Sequence, residues 1–236
     1  EAFSYSVSHD LRAPLRHIDG FSKALAEDYA DQVDERGKSY LRFLSQSANR
    51  MDHLIEDLIK LSRITRAEMH FDAFDLSALA QDIADALQAA PERRVEFVIA
   101  PGLTAWGDPQ LVRIVLVNLM SNAYKFTGKT SQPRIQVGAT PMDTLPNGER
   151  LASGATVFFV RDNGAGFDMT YQQKLFGVFQ RLHDETEFPG TGIGLATVKR
   201  IILRHGGHIW AEGHPGQGAT FYFVLGADHS GTSAPG

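Results

Sequence analysis

The chain has 236 residues, a formal net charge of −5, 43% hydrophobic residues and no cysteine. Its length leaves room for two domains of ordinary globular composition. The missing cysteines exclude disulfide and thiolate chemistry, the lack of a basic tract argues against a nucleic-acid-binding role, and no apolar run reaches the length of a membrane span.

The N-terminal stretch reads as one helix over residues 1–30. Val7, Leu11, Pro14, Ile18, Phe21 and Leu25 recur at alternating spacings of four and three, a heptad seam. In that register His9 falls at f, the outermost position, on the stripe shared by Arg16 and Lys23. Pro14 lacks an N–H and is expected to kink the helix near His9. A polar turn, 31–37, follows, with Gly37 as its breaker. The next seam runs through Tyr40, Leu44, Ser47, Met51, Leu54, Leu58, Leu61 and Thr65. Two such helices form an antiparallel hairpin. One hairpin leaves apolar stripes wet, so residues 1–66 are expected to pair with a second copy as a four-helix bundle. A monomeric hairpin packed on its own second domain is the alternative. The chain opens on Glu1 inside this helix, and it reads as a fragment whose upstream part is missing.

Residues 66–71 read as a connector, after which the periodicity changes. A helix is expected from Asp75 to about Ala90, a strand over 95–99, and a helix from Gln110 to Lys125. Asp108 stands as the N-cap of that helix and Pro109 as its first residue. Strands over 134–139 and 155–161 flank a Pro/Gly-rich loop. The segment 167–189 has little periodicity, 191–205 is helical, and 208–211 and 219–225 are strands. Residues 226–236 look disordered. The expected class is an α helical hairpin followed by an α/β sandwich with a mixed sheet.

Four clusters in the second part could carry chemistry. Asn118, Asn122 and Lys125 lie at i, i+4 and i+7, one face of one helix. A carboxamide oxygen suits a Mg²⁺ ion that keeps its waters and phosphate ligands, and Lys125 offers a cation to polyphosphate. Two buried asparagines bonded to backbone would look the same. Asp162-Asn-Gly164-Ala-Gly166 follows a strand; the carboxylate could accept from an adenine amino group, or the stretch could be a plain turn. Gly190-Thr191-Gly192-Ile-Gly194-Leu195 opens a helix whose N-terminal N–H groups favour an anion. It is not a Rossmann fingerprint, because a long loop precedes it rather than a strand. Gly128-Lys129-Thr130 mimics the end of a P-loop but has Ala123 where that motif needs Gly. Gly216-Gln-Gly218 precedes the last strand. Nine histidines raise the question of metal, but no HExxH or paired-ligand spacing occurs.

In this order and spacing the clusters resemble the histidine kinases of two-component signalling, over about residues 3–225. His9 lies in what resembles the H-box and Asn118–Lys125 the N-box. Asp162–Gly166 resembles the G1 box, Phe176–Phe179 the F-box, Gly190–Gly194 the G2 box and Gly216–Gly218 the G3 box. The wording HDLRAPLRHIDGFS and FQRLH is most similar to kinase modules of bacterial phytochrome-type or PAS-linked sensors.

The resemblance implies a dimerising, phosphoaccepting hairpin over 1–70, a Bergerat-fold ATP-binding domain over 71–226 and a tail over 227–236. It implies ATP and Mg²⁺ as cofactors, with Asn122 as metal ligand, Asn118 nearby, Lys125 on phosphate and Asp162 on adenine. Gly164, Gly166, Gly190, Thr191, Gly192, Gly194 and Leu195 would frame the nucleotide, and Arg181 would reach the γ-phosphate. Residues 167–189 would form a lid over ATP. His9 would be the phosphoacceptor and Asp10 the carboxylate that orients its ring and takes its proton; a solvated helix charge is the plainer reading of Asp10. The implied partners are a second copy through 1–66, a response-regulator receiver domain and an upstream sensor, in the cytoplasm. Many family members carry Thr or Asn where this chain has Ala13, the position that orients water in regulator dephosphorylation. A catalytically silent docking scaffold, or another Bergerat-fold ATPase, remains the alternative.

Overall fold

Two long helices, α1 (Ala2–Asp28) and α2 (Glu35–Arg66), run antiparallel in the first unit of the structure, a computed structural model. It describes residues 2–89, 93–151, 155–182, 187–188 and 190–226, with side chains from residue 12 onward. The chain divides into two compact units, Glu1–Arg66 and Ala67–Gly236.

The turn between the helices ends on Asp34, whose carboxylate accepts the Gly37 N–H at 2.7 Å. Asp34 therefore caps α2, and Gly37 lies inside the helix rather than breaking it. Between the helices Leu15, Ser22 and Ala48 are buried. Asp19 accepts from the Ser45 hydroxyl and from Asn49 Nδ2 (3.4 Å), and Arg12 pairs with Asp52 at 3.0 Å. The hairpin thus closes on Leu15 and Ala48 flanked by polar residues, one position round from the heptad seam read in the sequence. The seam itself faces solvent: Ile18, Phe21, Leu25, Tyr40, Leu44, Met51 and Leu58 are exposed, Phe21 by 70%, and Phe43 beside them by 68%.

The second unit begins with a strand, β1 (Asp72–Asp75), and a helix, α3 (Leu76–Gln88), whose N-cap Asp75 accepts from Ala78 N–H. β2 (Glu96–Ile99), β3 (Thr104–Gly107) and α4 (Pro109–Phe126) follow. Then come β4 (Arg134–Thr140), β5 (Val157–Asp162) and a 3₁₀ turn over Met169–Lys174. α5 (Gly194–Arg204), β6 (His208–His214) and β7 (Gly218–Val224) complete the unit. The main sheet has the order β2-β4-β5-β7-β6, parallel at β2/β4 and antiparallel elsewhere. It is the mixed sheet expected from the sequence. β1 and β3 pair antiparallel as a separate ribbon, which the sequence reading did not contain. Leu76, Val112, Leu116, Leu119, Met120, Ile201 and Ile202 from the helices meet Ile135, Val137, Val160 and Phe223 from the sheet in a fully buried core.

One polar junction fixes the start of α4 against the end of α5. Asp108 Oδ1 accepts from Gln110 and Leu111 N–H at 3.0 Å, and Oδ2 accepts from His70 N–H at 3.0 Å. The Asp108 N–H donates to His205 Nε2 at 3.0 Å, and His205 Nδ1 donates to the Ile201 carbonyl at 2.8 Å. Both ring nitrogens are engaged as in the neutral imidazole, and burial pushes the His205 pKa down accordingly. With both helices anchored there, the C-terminal end of α4 and the N-terminal end of α5 are held together at the site. Among the described residues no helix is long and apolar enough to cross a membrane.

Candidate functional site

α4, β5, the 167–192 segment and the start of α5 supply the polar groups. Asn118 projects from α4 with its Nδ2 donating to the Ile114 carbonyl at 2.8 Å. Its Oδ1 lies 2.6 Å from where a Cβ on Gly194 would stand. Any side chain at Gly194 would push Asn118 aside, so glycine lets α5 begin directly against α4. Asn122, one turn further along α4, is half-buried.

Asp162 ends β5 and is buried. Its Oδ1 accepts the Gly164 N–H at 2.8 Å. Burial raises its pKa to about 6, against the opposing pull of backbone N–H donors from Gly164 and Ala219. It is a carboxylate held at the edge of neutrality, suited to accept a hydrogen bond from a flat, weakly polar ring. Gly166 turns the chain away from it at φ +64°, and a Cβ there would stand 1.9 Å from the His214 carbonyl oxygen. Only glycine meets both demands.

α5 starts with no side-chain cap; Ile193 holds the cap position. The helix therefore presents its first N–H groups and the positive end of its dipole. Lys125 lies close by, its Nζ 3.3 Å from the Cβ position of Gly190 and 4.3 Å from the Phe126 ring centre. Burial lowers the Lys125 pKa, and the neighbouring Arg181 guanidinium lowers it further. Two cations beside an uncapped helix start make a seat for a polyanion. Thr191 and Leu195 are half-buried at the same end of the helix. Gly192 takes φ +75° and its carbonyl accepts from Phe179 N–H at 3.1 Å, while Phe179 itself is left-handed at φ 62°. A non-glycine residue held there stores strain beside the site.

Asn118, Lys125, Arg181, Gly190 and Gly194 are thus brought to the facing ends of α4 and α5, and Asp162, Gly164 and Gly166 gather at the end of β5. Among the described residues no group of three or more His, Asp or Glu is placed to hold a metal ion. A lone carboxamide such as Asn122 fits only an ion whose other ligands are water and phosphate. The side chains of His9 and Asp10 lie outside the described residues, as does the tail at 227–236; the backbone places both residues within α1.

Two family profiles match the chain. The profile described as "His Kinase A (phospho-acceptor) domain" covers residues 1–67, and "Histidine kinase-, DNA gyrase B-, and HSP90-like ATPase" covers 107–229. The chain belongs to the histidine kinase family. It is 36% identical over 228 residues to cyanobacterial phytochrome B of Nostoc sp., across 95% of this chain and 29% of that protein. It is also 36% identical over 230 residues to the methanogenesis regulatory histidine kinase FilI of Methanothrix harundinacea, across 95% of this chain and 24% of that one. The chain therefore spans less than a third of these relatives. The crystal structure of full-length ShkA in complex with AMPPNP superposes with a TM-score of 0.64 at 26% identity, over 95% of this chain and 45% of that chain.

The sequence reading missed three residues around the site. Arg93 donates to the Tyr124 carbonyl (2.6 Å) and to Thr127 Oγ1 (2.7 Å), tying down the end of α4 next to Lys125. Phe188 is buried against Phe126. Lys129, from the rejected P-loop look-alike, pairs instead with Glu187. No local pattern announces such contacts, because each joins segments far apart in the chain.

Proposed function

We propose that this chain is the catalytic core of an ATP-dependent protein histidine kinase, which phosphorylates itself on His9 and passes the phosphoryl group to an aspartate of a response regulator. The observation that carries the reading is the polyanion seat: Lys125 and Arg181 beside the uncapped start of α5, with the buried Asp162 carboxylate ending β5.

In this reading Asp162 accepts a hydrogen bond from the adenine amino group, and Gly164 and Gly166 let the backbone approach the ring. The first N–H groups of α5, at Gly194 and Leu195, with Gly190, Thr191 and Gly192 in the loop before them, receive the phosphates. Lys125 neutralises the polyphosphate and Arg181 the terminal phosphoryl group. Asn122 would hold Mg²⁺, with Asn118 close by, and the bound ion would supply further charge neutralisation across the phosphates. Catalysis is then positioning and charge neutralisation of a loosely bonded phosphoryl group. His9 attacks as the neutral imidazole; the bond from phosphorus to the β–γ bridging oxygen breaks as the P–N bond forms, and ADP leaves. Asp10 orients the ring and takes the proton from its other nitrogen.

Residues 1–70 would serve as the dimerising phosphoacceptor part and 71–226 as the nucleotide-binding part. The exposed seam of Phe21, Leu25, Tyr40, Phe43, Leu44 and Met51 supports a homodimer, because a patch of this size is covered in most soluble proteins. The reaction belongs in the cytoplasm, where ATP and receiver domains are available.

The test is incubation of the chain with γ-labelled ATP and Mg²⁺. A protein-bound label that is acid-labile and base-stable is expected. A scaffold would take up no label, and a different Bergerat-fold ATPase would release free phosphate without labelling itself.

A further inference from the structure

Phe188 is 5% exposed although Glu187 and Gly190 around it are exposed. Its ring meets that of Phe126, the last residue of α4, at 5.0 Å between centres and a 56° tilt. The Phe126 ring also carries the Lys125 ammonium. The Phe188 carbonyl accepts from Arg181 Nη2 at 2.9 Å. Lys129 lies 5.6 Å from the centre of the Phe188 ring and pairs with Glu187, fastening the same segment to the residues just beyond α4. One residue thus sits behind both cations of the phosphate seat: its ring packs on Phe126, which carries Lys125, and so fixes the segment whose backbone carbonyl holds Arg181.

We propose that Phe188 is a positioning residue for ATP, which holds Arg181 and Lys125 directed at the terminal phosphates before nucleotide arrives. The proposal rests on the ATP-site reading above. Two like charges held together repel, and long cationic side chains lose rotamer freedom when fixed. An anchor that has already ordered them leaves less ordering for the nucleotide to do, and the phosphates then relieve the repulsion. The benefit falls on the phosphate that Arg181 meets, the terminal one. Truncating Phe188 should therefore cost ATP more than ADP. A merely structural role for a buried ring would cost both nucleotides alike.

The experiment is calorimetric titration of the full chain, with Mg²⁺, by a non-hydrolysable ATP analogue and by ADP. Phe188→Ala is expected to raise Kd for the analogue by roughly tenfold, the loss of about one charge-assisted hydrogen bond, and for ADP by less than about threefold. Phe188→Tyr keeps the ring and is expected to keep wild-type discrimination. Equal losses for both nucleotides, no loss for the analogue, or a Tyr variant that behaves as Ala would overturn the proposal. If far-UV dichroism finds the alanine variant unfolded at the assay temperature, Phe188→Leu is judged by the same ratio. An unsubstituted chain that binds neither nucleotide would refute the ATP-site reading instead.

Discussion

Asp162 makes nucleotide affinity depend on pH with a sign opposite to that of fold stability. Its pKa is raised from 3.8 to about 6 by burial. Because the folded value lies above the unfolded one, the fold favours the neutral carboxyl. Ionising it costs on the order of 3 kcal/mol, about 1.4 kcal/mol for each pH unit between the two values. That cost appears as pH rises through the window between 3.8 and about 6, and acidification through the same window relieves it. Adenine recognition needs the ionised acceptor. A group with a pKa near 6 is about nine-tenths ionised at about pH 7 and about one-tenth at about pH 5, so affinity should fall about tenfold. An unperturbed carboxyl would lose only a few per cent over that range. The assay is ADP titration at successive pH values, for the unsubstituted chain and for Asp162→Asn. The phosphates of ADP titrate as well, but equally in both proteins, so the difference between the two curves isolates Asp162. Asp162→Asn should bind at least about tenfold more weakly at neutral pH, as expected for a lost charged acceptor. Parallel pH slopes for the two proteins would refute the reasoning, as would acid weakening that coincides with loss of dichroism.

Other outcomes follow from the same site and hairpin. Asn122→Ala should weaken nucleotide binding in the presence of Mg²⁺ and leave the Mg²⁺-free affinity nearly unchanged, as read by paired titrations. Phe43→Glu, which places a charge on the exposed seam, should shift the full chain from dimer to monomer in sedimentation; each buried Phe contributes roughly 1.5–3 kcal/mol to such an interface. A chain that is monomeric before substitution would contradict the bundle. Ala13 offers no hydrogen-bonding group to a water, so the unsubstituted chain should dephosphorylate a phospho-regulator slowly. Ala13→Thr should accelerate that decay in the presence of ADP.

Long periodic segments and the strands of the main sheet, down to the four residues of β2, were readable from residue order, whereas the β1/β3 ribbon was not. α4 stood out because Asp108-Pro109 marks its start and apolar residues recur through it, and the structure has both features. The ribbon strands, Asp72–Asp75 and Thr104–Gly107, carry Asp, Ala and Gly and no run of β-branched residues such as the Val-Ile of β2, so they give no strand signal. On the hairpin the heptads were visible, but periodicity cannot say which stripe closes the pair. Asp19, Ser45 and Asn49 took the inner side by hydrogen bonding and left Phe21 and Phe43 outside. At the site the glycine clusters and the Asn118–Lys125 face were legible as local patterns. The raised pKa of Asp162 was not, because burial comes from strands paired on either side of it. The placement of Phe188 on Phe126 was hidden for the same reason, in a segment without periodicity.

Mass spectrometry of the intact chain and its peptides, kept at neutral pH after incubation with ATP and Mg²⁺, tests the central claim most directly. One phosphoryl group is expected on the peptide containing His9, with fragment ions placing it on the imidazole. His9→Ala should bind the nucleotide as before and carry none. Phosphate on His17 or on another residue, or ATP consumed with the protein left unmodified, would contradict the account.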